Sequence, residues 1–570
     1  MKTNILYLTL FLLITTACSD SLEEDPKGKL NENFLTTEDG LNSLVLSQYY
    51  QNRFIVEDMG ELGTYPSDIF TFSVNGNNAI QLTKGNTSIL PSLDIISNTW
   101  KDLYEGVNNV NFGLNVLSEN TFDSSDILEG ELSFFRAWYY FLIVETWGEG
   151  AHFTVEPTAT IATEGKQTTI DVFYALILDD IDNAISKLPA STSENGRLTS
   201  IAAKAMKARM LLALAGYSDD VIANSGITNK NALYTESKQL ADEVIGSDFR
   251  LLDDYESIFD VYNEGNIEII WSVQFTDNNI FNTGPVDSGG SGLHRYWVGN
   301  YNKSARTQEV IPRMYGHSIY YGREYRHHMM TKYFLTLFDE EDFRRDATIQ
   351  TVWYALWNES NQQEDAEGIP FRNGIRTDTV LFKPLYSVDD MTAEQYAARG
   401  IAIDGLNHIY NTDGTPKTAA RSWYHTMKKY LDPSRVVPKE EGSHKDVIEL
   451  RLGEQYLIAA ESAHYLGDDM AAARYIDNLR VRARKNPDGL PVNASDINID
   501  FILDERAREL GGERLRWFDL KRTHTLGTRL QEYNPDAENI QDFQKLRPVP
   551  QSELDKVTNR DMFKQNPGYN

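Results

Sequence analysis

The chain has 570 residues, with 84 Asp and Glu against 54 Lys and Arg, a formal net charge of −30 and a single cysteine. That balance excludes a nucleic-acid binder, which needs Lys and Arg gathered on one face, and its field disfavours strongly anionic glycans. One thiol permits no intramolecular disulfide, so the fold stands on its apolar core, which a chain of this length can make large.

Met1–Ala17 opens on Lys2, runs through ILYLTLFLLI and closes on Thr15, Thr16 and Ala17. A charged start, a short apolar run and small residues at the end describe a secretory signal. The run is roughly ten residues, where a spanning helix wants about 20, and the later stretches YYFLIV and RMLLALA are interrupted too soon to span. The mature chain is therefore expected to be exported and not integral to a membrane. Cys18 follows at once. A free thiol is one reading. The other is lipidation: TTAC resembles a bacterial lipobox, with Thr15 where leucine is more usual. Each buried methylene contributes about 0.8 kcal/mol, so a multiply acylated Cys18 would be a durable anchor. The acids of SDSLEED read as a solvated tether and resemble the surface-export signal of Bacteroidetes lipoproteins.

Helical periodicity then dominates. SNTWKDLYEGVNNVNFGLNVL places Trp100, Leu103, Tyr104, Val107, Val110 and Leu114 on one stripe. ELSFFRAWYYFLIVETWG sets Phe134, Trp138, Phe141 and Leu142 on one face and stops at Gly148. DVFYALILDDIDNAISKLP repeats the spacing through Val172, Leu176, Ile177, Ile181 and Leu188. RLTSIAAKAMKARMLLALAG has Thr199 as its N-cap and ends at Gly216. NIEIIWSVQF reads as a strand and opens into TDNNIFNTGPVDSGGSGLHRYWVGNYN, a loop far longer than the usual four to six residues. A second irregular region covers Trp353 to Thr415. Late in the chain, RLGEQYLIAAESAHYLGDDMAAARYIDNLRVRA reads as two helices meeting at Gly467, with Leu452, Tyr456, Ala459 and Ala463 facing Ala472, Ile476 and Leu479. Large residues against alanine are how tetratricopeptide-type hairpins stack.

These pieces resemble the SusD/RagB family of outer-membrane nutrient-binding lipoproteins nearly end to end. The resemblance runs through SDSLEEDPKG, FFRAWYYFLIVETWGEGAHF, YESIFDVYNEGNIEIIWSVQF, TKYFLTLFDEEDFRRD and the late hairpin. Its most specific parts are FILDERARELGGERLRWFDLKR and the closing LRPVPQSEL and QNPGY. It implies a mostly α fold built on tetratricopeptide-type hairpins, with a small β element and long loops. The expected divisions are a signal at 1–17, a lipidated acidic tether at 18–34, an N-terminal helical region at 35–260 and a C-terminal region with the binding loops at 261–570. It also implies a lipid-anchored, surface-exposed protein that captures a glycan without catalysis and passes it to a SusC-like TonB-dependent transporter. Its only contact with the membrane would be the lipid. A peptide ligand is the alternative.

Ligand residues are proposed on physical grounds alone. Sugar recognition needs flat apolar faces beside polar groups. The loop GLHRYWVGNYN offers Tyr296, Trp297 and Tyr301 with Arg295 and Asn300; Trp353 and Trp357 form a second cluster, and GTYPSDIFTF adds Tyr65 and Asp68. Catalytic signals are weaker. Glu505 and Glu509 in DERAREL could serve a surface glycoside hydrolase, but the interleaved Arg506 and Arg508 read better as an ion-pair network. GHSIY lacks the closing glycine of a nucleophile elbow, and His327 and His328 are adjacent and diverge on a helix. No cofactor is expected, though loop carbonyls leave a calcium ion open.

Overall fold

The computed structural model describes residues 32–85, 89–158, 163–278, 289–311, 317–354, 379–385 and 402–569, with short paired strand segments between 357 and 376. The signal, Cys18, the tether up to residue 31 and the loop at 279–288 lie outside the described residues.

The helices that carry the architecture are α1 (Glu38–Leu62), α2 (Asp94–Glu119), α3 (Ser125–Trp147), α4 (Ile170–Lys187), α5 (Ser200–Leu214), α6 (Lys230–Ile245), α7 (Leu452–Tyr465), α8 (Asp469–Arg480) and α9 (Ile499–Leu510). Each of α1 to α6 packs on the next, and α7 then packs on α6 although some 200 residues separate them; α8 and α9 pack on α7. The late hairpin thus continues a stack begun near the N-terminus. A single apolar cluster runs from Leu41 to Tyr569 and crosses residue 260 without a break.

Local chemistry sets the helix ends. The Thr37 hydroxyl caps α1 by accepting from the Gly40 N–H at 3.1 Å, with Glu38 and Asp39 in the first turn to suit the helix dipole. Thr199 caps α5 through the Ala202 N–H at 3.2 Å, as its sequence suggests. Gly148 ends α3 at φ +58°, and Gly467 makes the hairpin turn at φ +82°, a left-handed region that favours glycine. Two expected faces are corrected. In α3 nearly every side chain from Leu128 onward is buried rather than one stripe, because α1, α2 and α4 all pack on it. In α4 the inward residues are Phe173, Tyr174, Ile177 and Ile181, while Val172 is exposed.

Strands are short. β1 (Phe70–Phe72) pairs antiparallel with β3 (His328–Met330), aligning Phe72 with His328. β2 (Ile269–Val273), the strand expected from NIEIIWSVQF, pairs antiparallel with β4 (Val447–Arg451).

The DERAREL segment lies on α9, and its carboxylates are sealed. Glu509 accepts from Arg344 at 2.9 Å and from Arg451 and Arg482 at 2.7 Å each. Glu505 accepts from Arg480 at 2.6 Å and Arg508 at 2.9 Å. Both carboxylates have 0% exposure, so no substrate reaches them in this fold. Their guanidinium partners hold Glu509 at a pKa of about 2 and Glu505 well below the usual carboxylate range, against the desolvation that alone would raise both. The network ties α9 to β4 and to the helix Phe343–Thr348.

Candidate functional site

Outside the helical stack, four stretches of chain are laced into one crest. The Ser73 N–H donates to the His327 carbonyl at 2.9 Å and the Asn75 N–H to the Arg326 carbonyl at 3.1 Å. The Asn75 amide side chain reaches the Tyr325 carbonyl at 2.8 Å. His327 N–H donates to Tyr296 O at 3.1 Å, Arg326 N–H to Val298 O at 3.2 Å and Asn300 N–H to Ser422 O at 2.7 Å. The Ser73 hydroxyl closes the circuit by donating to the Arg421 carbonyl. Residues 73–77, 295–300, 325–328 and 421–426 therefore hold one another in place.

Half-buried rings stand on this lattice. Tyr296 and His327 lie parallel, centroids 4.5 Å apart and planes 4° from each other, and Tyr325 sits 4.8 Å from His327. The Arg295 guanidinium lies 4.3 Å from the Tyr325 centroid and that of Arg323 lies 5.8 Å away. Glu441 accepts from both arginines, at 2.5 Å from Arg295, and that pairing lowers its pKa. The carboxylate thus pins two cations around one ring, an arrangement fixed before any ligand arrives. Arg326 has φ +60°. A non-glycine residue in that region carries a backbone cost, and such residues cluster at ligand clamps and other functional sites.

Beneath the crest is a second carboxylate of opposite character. Glu57 of α1 accepts from the Ser291 hydroxyl at 3.0 Å and the Gly292 N–H at 3.1 Å, so it holds the start of the 291–300 stretch. Burial pushes its pKa up to about 7; those hydrogen bonds and nearby Arg295 only partly offset the shift. His328 is driven well below the usual histidine range by burial and by neighbouring His327, and is neutral.

Most of the sequence candidates are structural. Trp297 is 2% exposed, wedged edge-on to Phe70 at 4.7 Å and parallel to Tyr430 at 6.3 Å. Tyr301 and Trp353, both at 0%, join Val298, Ile311, Tyr321, Val380 and Leu381 in a small core under the crest. Trp297 and Tyr301 of the glycine-rich loop therefore serve packing and offer no face to a ligand. Tyr65 is buried and bonded to His328 Nδ1 at 2.9 Å. Asp68, also buried, accepts from Arg516 at 2.7 and 2.6 Å and from Arg529 at 2.7 Å. Arg295 is buried, Asn300 half-buried, and the Trp357 side chain lies outside the described residues. Of the proposed set, Tyr296 and Asn300 reach the crest surface and Arg295 supports it. Sequence reasoning missed Tyr325, Arg323, Arg326 and the half-buried Trp423, and dismissed His327 as half of a poor metal pair. Their common signal was compositional, a shortage of acids, rather than a motif.

Among the described residues no cluster of three or more His, Cys, Asp or Glu could hold a metal ion, and no helix is long and apolar enough to cross a membrane. A hollow of about 170 Å³ lies apart from the crest, walled by Trp100, Tyr104 and Phe563. The crest itself is a platform.

Comparison with known proteins agrees with this architecture. The family model described as the SusD family matches residues 256–569, and one described as starch-binding, associating with outer membrane, matches residues 20–212. The chain belongs to the SusD family. A SusD-like protein of Formosa agariphila is 24% identical over 97% of each chain. The starch-binding protein SusD of Bacteroides thetaiotaomicron is 24% identical over 77% of this chain and 72% of its own. A laminarin-binding SusD-like protein of known structure superposes with a TM-score of 0.67 at 19% identity, covering 94% of this chain and all of its own.

Proposed function

We propose that this chain is a surface glycan-binding protein that captures oligosaccharide on the crest and performs no catalysis on it. The observation that carries this reading is the preorganised group of half-exposed rings, Tyr296, Tyr325 and His327, flanked by fixed guanidinium and amide groups. Flat faces cover sugar C–H surfaces while the polar rim takes the hydroxyls. The starch and laminarin named for its relatives support the ligand class, and the outer-membrane description of the second family model supports the location. Within the proposal, Cys18 carries the lipid, residues 18–34 form the tether, and a SusC-like TonB-dependent transporter receives the cargo. Small ligands gain only about 0.3 kcal/mol per heavy atom, so proximity to the transporter makes up for modest affinity.

The test is a native gel containing candidate polysaccharides, run beside thermal melts. Tyr325→Ala should abolish retardation with little change in melting temperature. Trp297→Ala should instead lower stability by about 3–5 kcal/mol, the cost of emptying a buried aromatic site. Retardation that survives Tyr325→Ala, or release of reducing ends from a bound saccharide, would sink the reading.

A further inference from the structure

The chain is strongly acidic, yet the crest is assembled from its acid-poor parts. Residues 69–93 contain one lysine and no acid, residues 289–338 contain seven Lys and Arg with two acids, and residues 414–431 contain four Lys and Arg with none. The fold brings these three stretches together through the β1–β3 pairing and the hydrogen bonds among Ser73, Asn75, Arg326, His327, Asn300 and Ser422. Twelve basic residues against two acids, in a chain that has 54 against 84, is a local reversal of sign along the sequence, although Glu57, Glu61 and Glu441 pack against the crest from other stretches.

Part of that charge is committed to the fold. Arg421 pairs with Asp536 at 2.6 Å and Lys429 with Glu513 at 2.6 Å, while Arg295 and Arg323 share Glu441. Of the two acids, Glu324 is buried against His317. Arg326 is different. Its guanidinium meets no carboxylate and no hydrogen-bond acceptor among the described residues, and its Nε is buried without a partner. Lys84 likewise forms no ion pair among the described residues and rests 5.3 Å from the Phe72 ring, on the strand that pairs with β3. A half-buried guanidinium without an acceptor is a standing cost, since its protons have left water for nothing. Here the cost coincides with a left-handed backbone at the same residue.

We infer that the crest takes an anionic saccharide, with a carboxylate or sulfate-ester group seated on Arg326 and with Lys84 and Arg323 contributing to the field around it. This rests on the crest being the glycan platform, and it reverses the expectation drawn from net charge alone. A guanidinium offers a planar fork of donors matched to such oxyanions. The ring stack of Tyr296, Tyr325 and His327 would cover the neighbouring sugar face. The acidic body around the crest would repel a polyanion elsewhere and leave one entry of favourable sign.

Titration calorimetry of the full mature chain tests this with four probes at low and high sodium chloride: an oligo-alginate for carboxylate, a carrageenan oligosaccharide for sulfate, and laminarihexaose and maltohexaose as neutral sugars. At least one anionic probe should bind about tenfold or more above both neutral ones, and Arg326→Gln should remove about tenfold of that while leaving the melting temperature unchanged. Which anionic probe wins identifies the group. Equal binding of neutral sugars, an equal loss for both classes in Arg326→Gln, or equally tight binding of polyglutamate would overturn the inference. If no saccharide of either class binds, it is the glycan platform itself that falls.

Discussion

The ion network on α9 and the crest handle buried charge in opposite ways. Around Glu509 three arginines converge within 2.9 Å, and Glu505 has two more. At the crest, Glu57 is buried and accepts from the Ser291 hydroxyl and the Gly292 N–H, and the Arg326 guanidinium meets no acceptor among the described residues. Charge is compensated where elements are being held together. At Arg326 it is left open. The contrast also separates two kinds of carboxylate, both of which sit on helices.

Removing one partner should break the compensated side most severely. Glu509→Ala leaves Arg344, Arg451 and Arg482 facing a gap, and should cost about 3–5 kcal/mol in urea unfolding, with glycan binding retained by whatever fraction folds. Acid attacks the same network in the wild-type chain. Glu509 is held at a pKa of about 2 against an ordinary value of 4.5. Its stabilisation is thus complete above about pH 4.5 and drains away as pH falls towards 2, on the order of 3 kcal/mol from this residue. A chain that keeps its unfolding midpoint from neutral pH down to about pH 3 would contradict the ion-pair account. A further effect has the reverse sign. Glu57 is pushed up to about 7, so its contribution is intact below its unfolded value and is lost as pH rises through 7. Glu57→Gln should therefore flatten the decline in melting temperature between about pH 5 and about pH 8. An unchanged slope would show that its carboxylate is not the titrating group.

How far the sequence reached depended on which property each residue obeys. The helices α2 to α5, the strand β2 and the hairpin turning at Gly467 were legible because periodicity and capping are local rules, and Thr199 and Gly148 play the parts read for them. Helices α1 and α6 were overlooked. Their polar residues outnumber a weak stripe, and their apolar sides find partners only across the stack. The site was read less well. Trp297 and Tyr301 looked available because a glycine-rich loop has no regular face to bury them in, yet Trp297 packs into the main core and Tyr301 joins Trp353 in a smaller one. What distinguishes Tyr325 and Arg326 is a set of neighbours drawn from three distant stretches of chain, and no spacing rule within one stretch encodes that.

The pairing of α6 with α7 sets the order in which the molecule can be completed. Its first half emerges from the ribosome with one flank of α6 uncovered, and the covering helix arrives only after residue 451. The end of α3 waits longer still, because Trp147 Nε1 donates to the Pro548 carbonyl at 2.9 Å and the Asn566 amide donates to the Trp147 carbonyl at 2.8 Å. A chain folding from its N-terminus therefore leaves apolar surface on α6 and at the end of α3 uncovered until its last segment has been made.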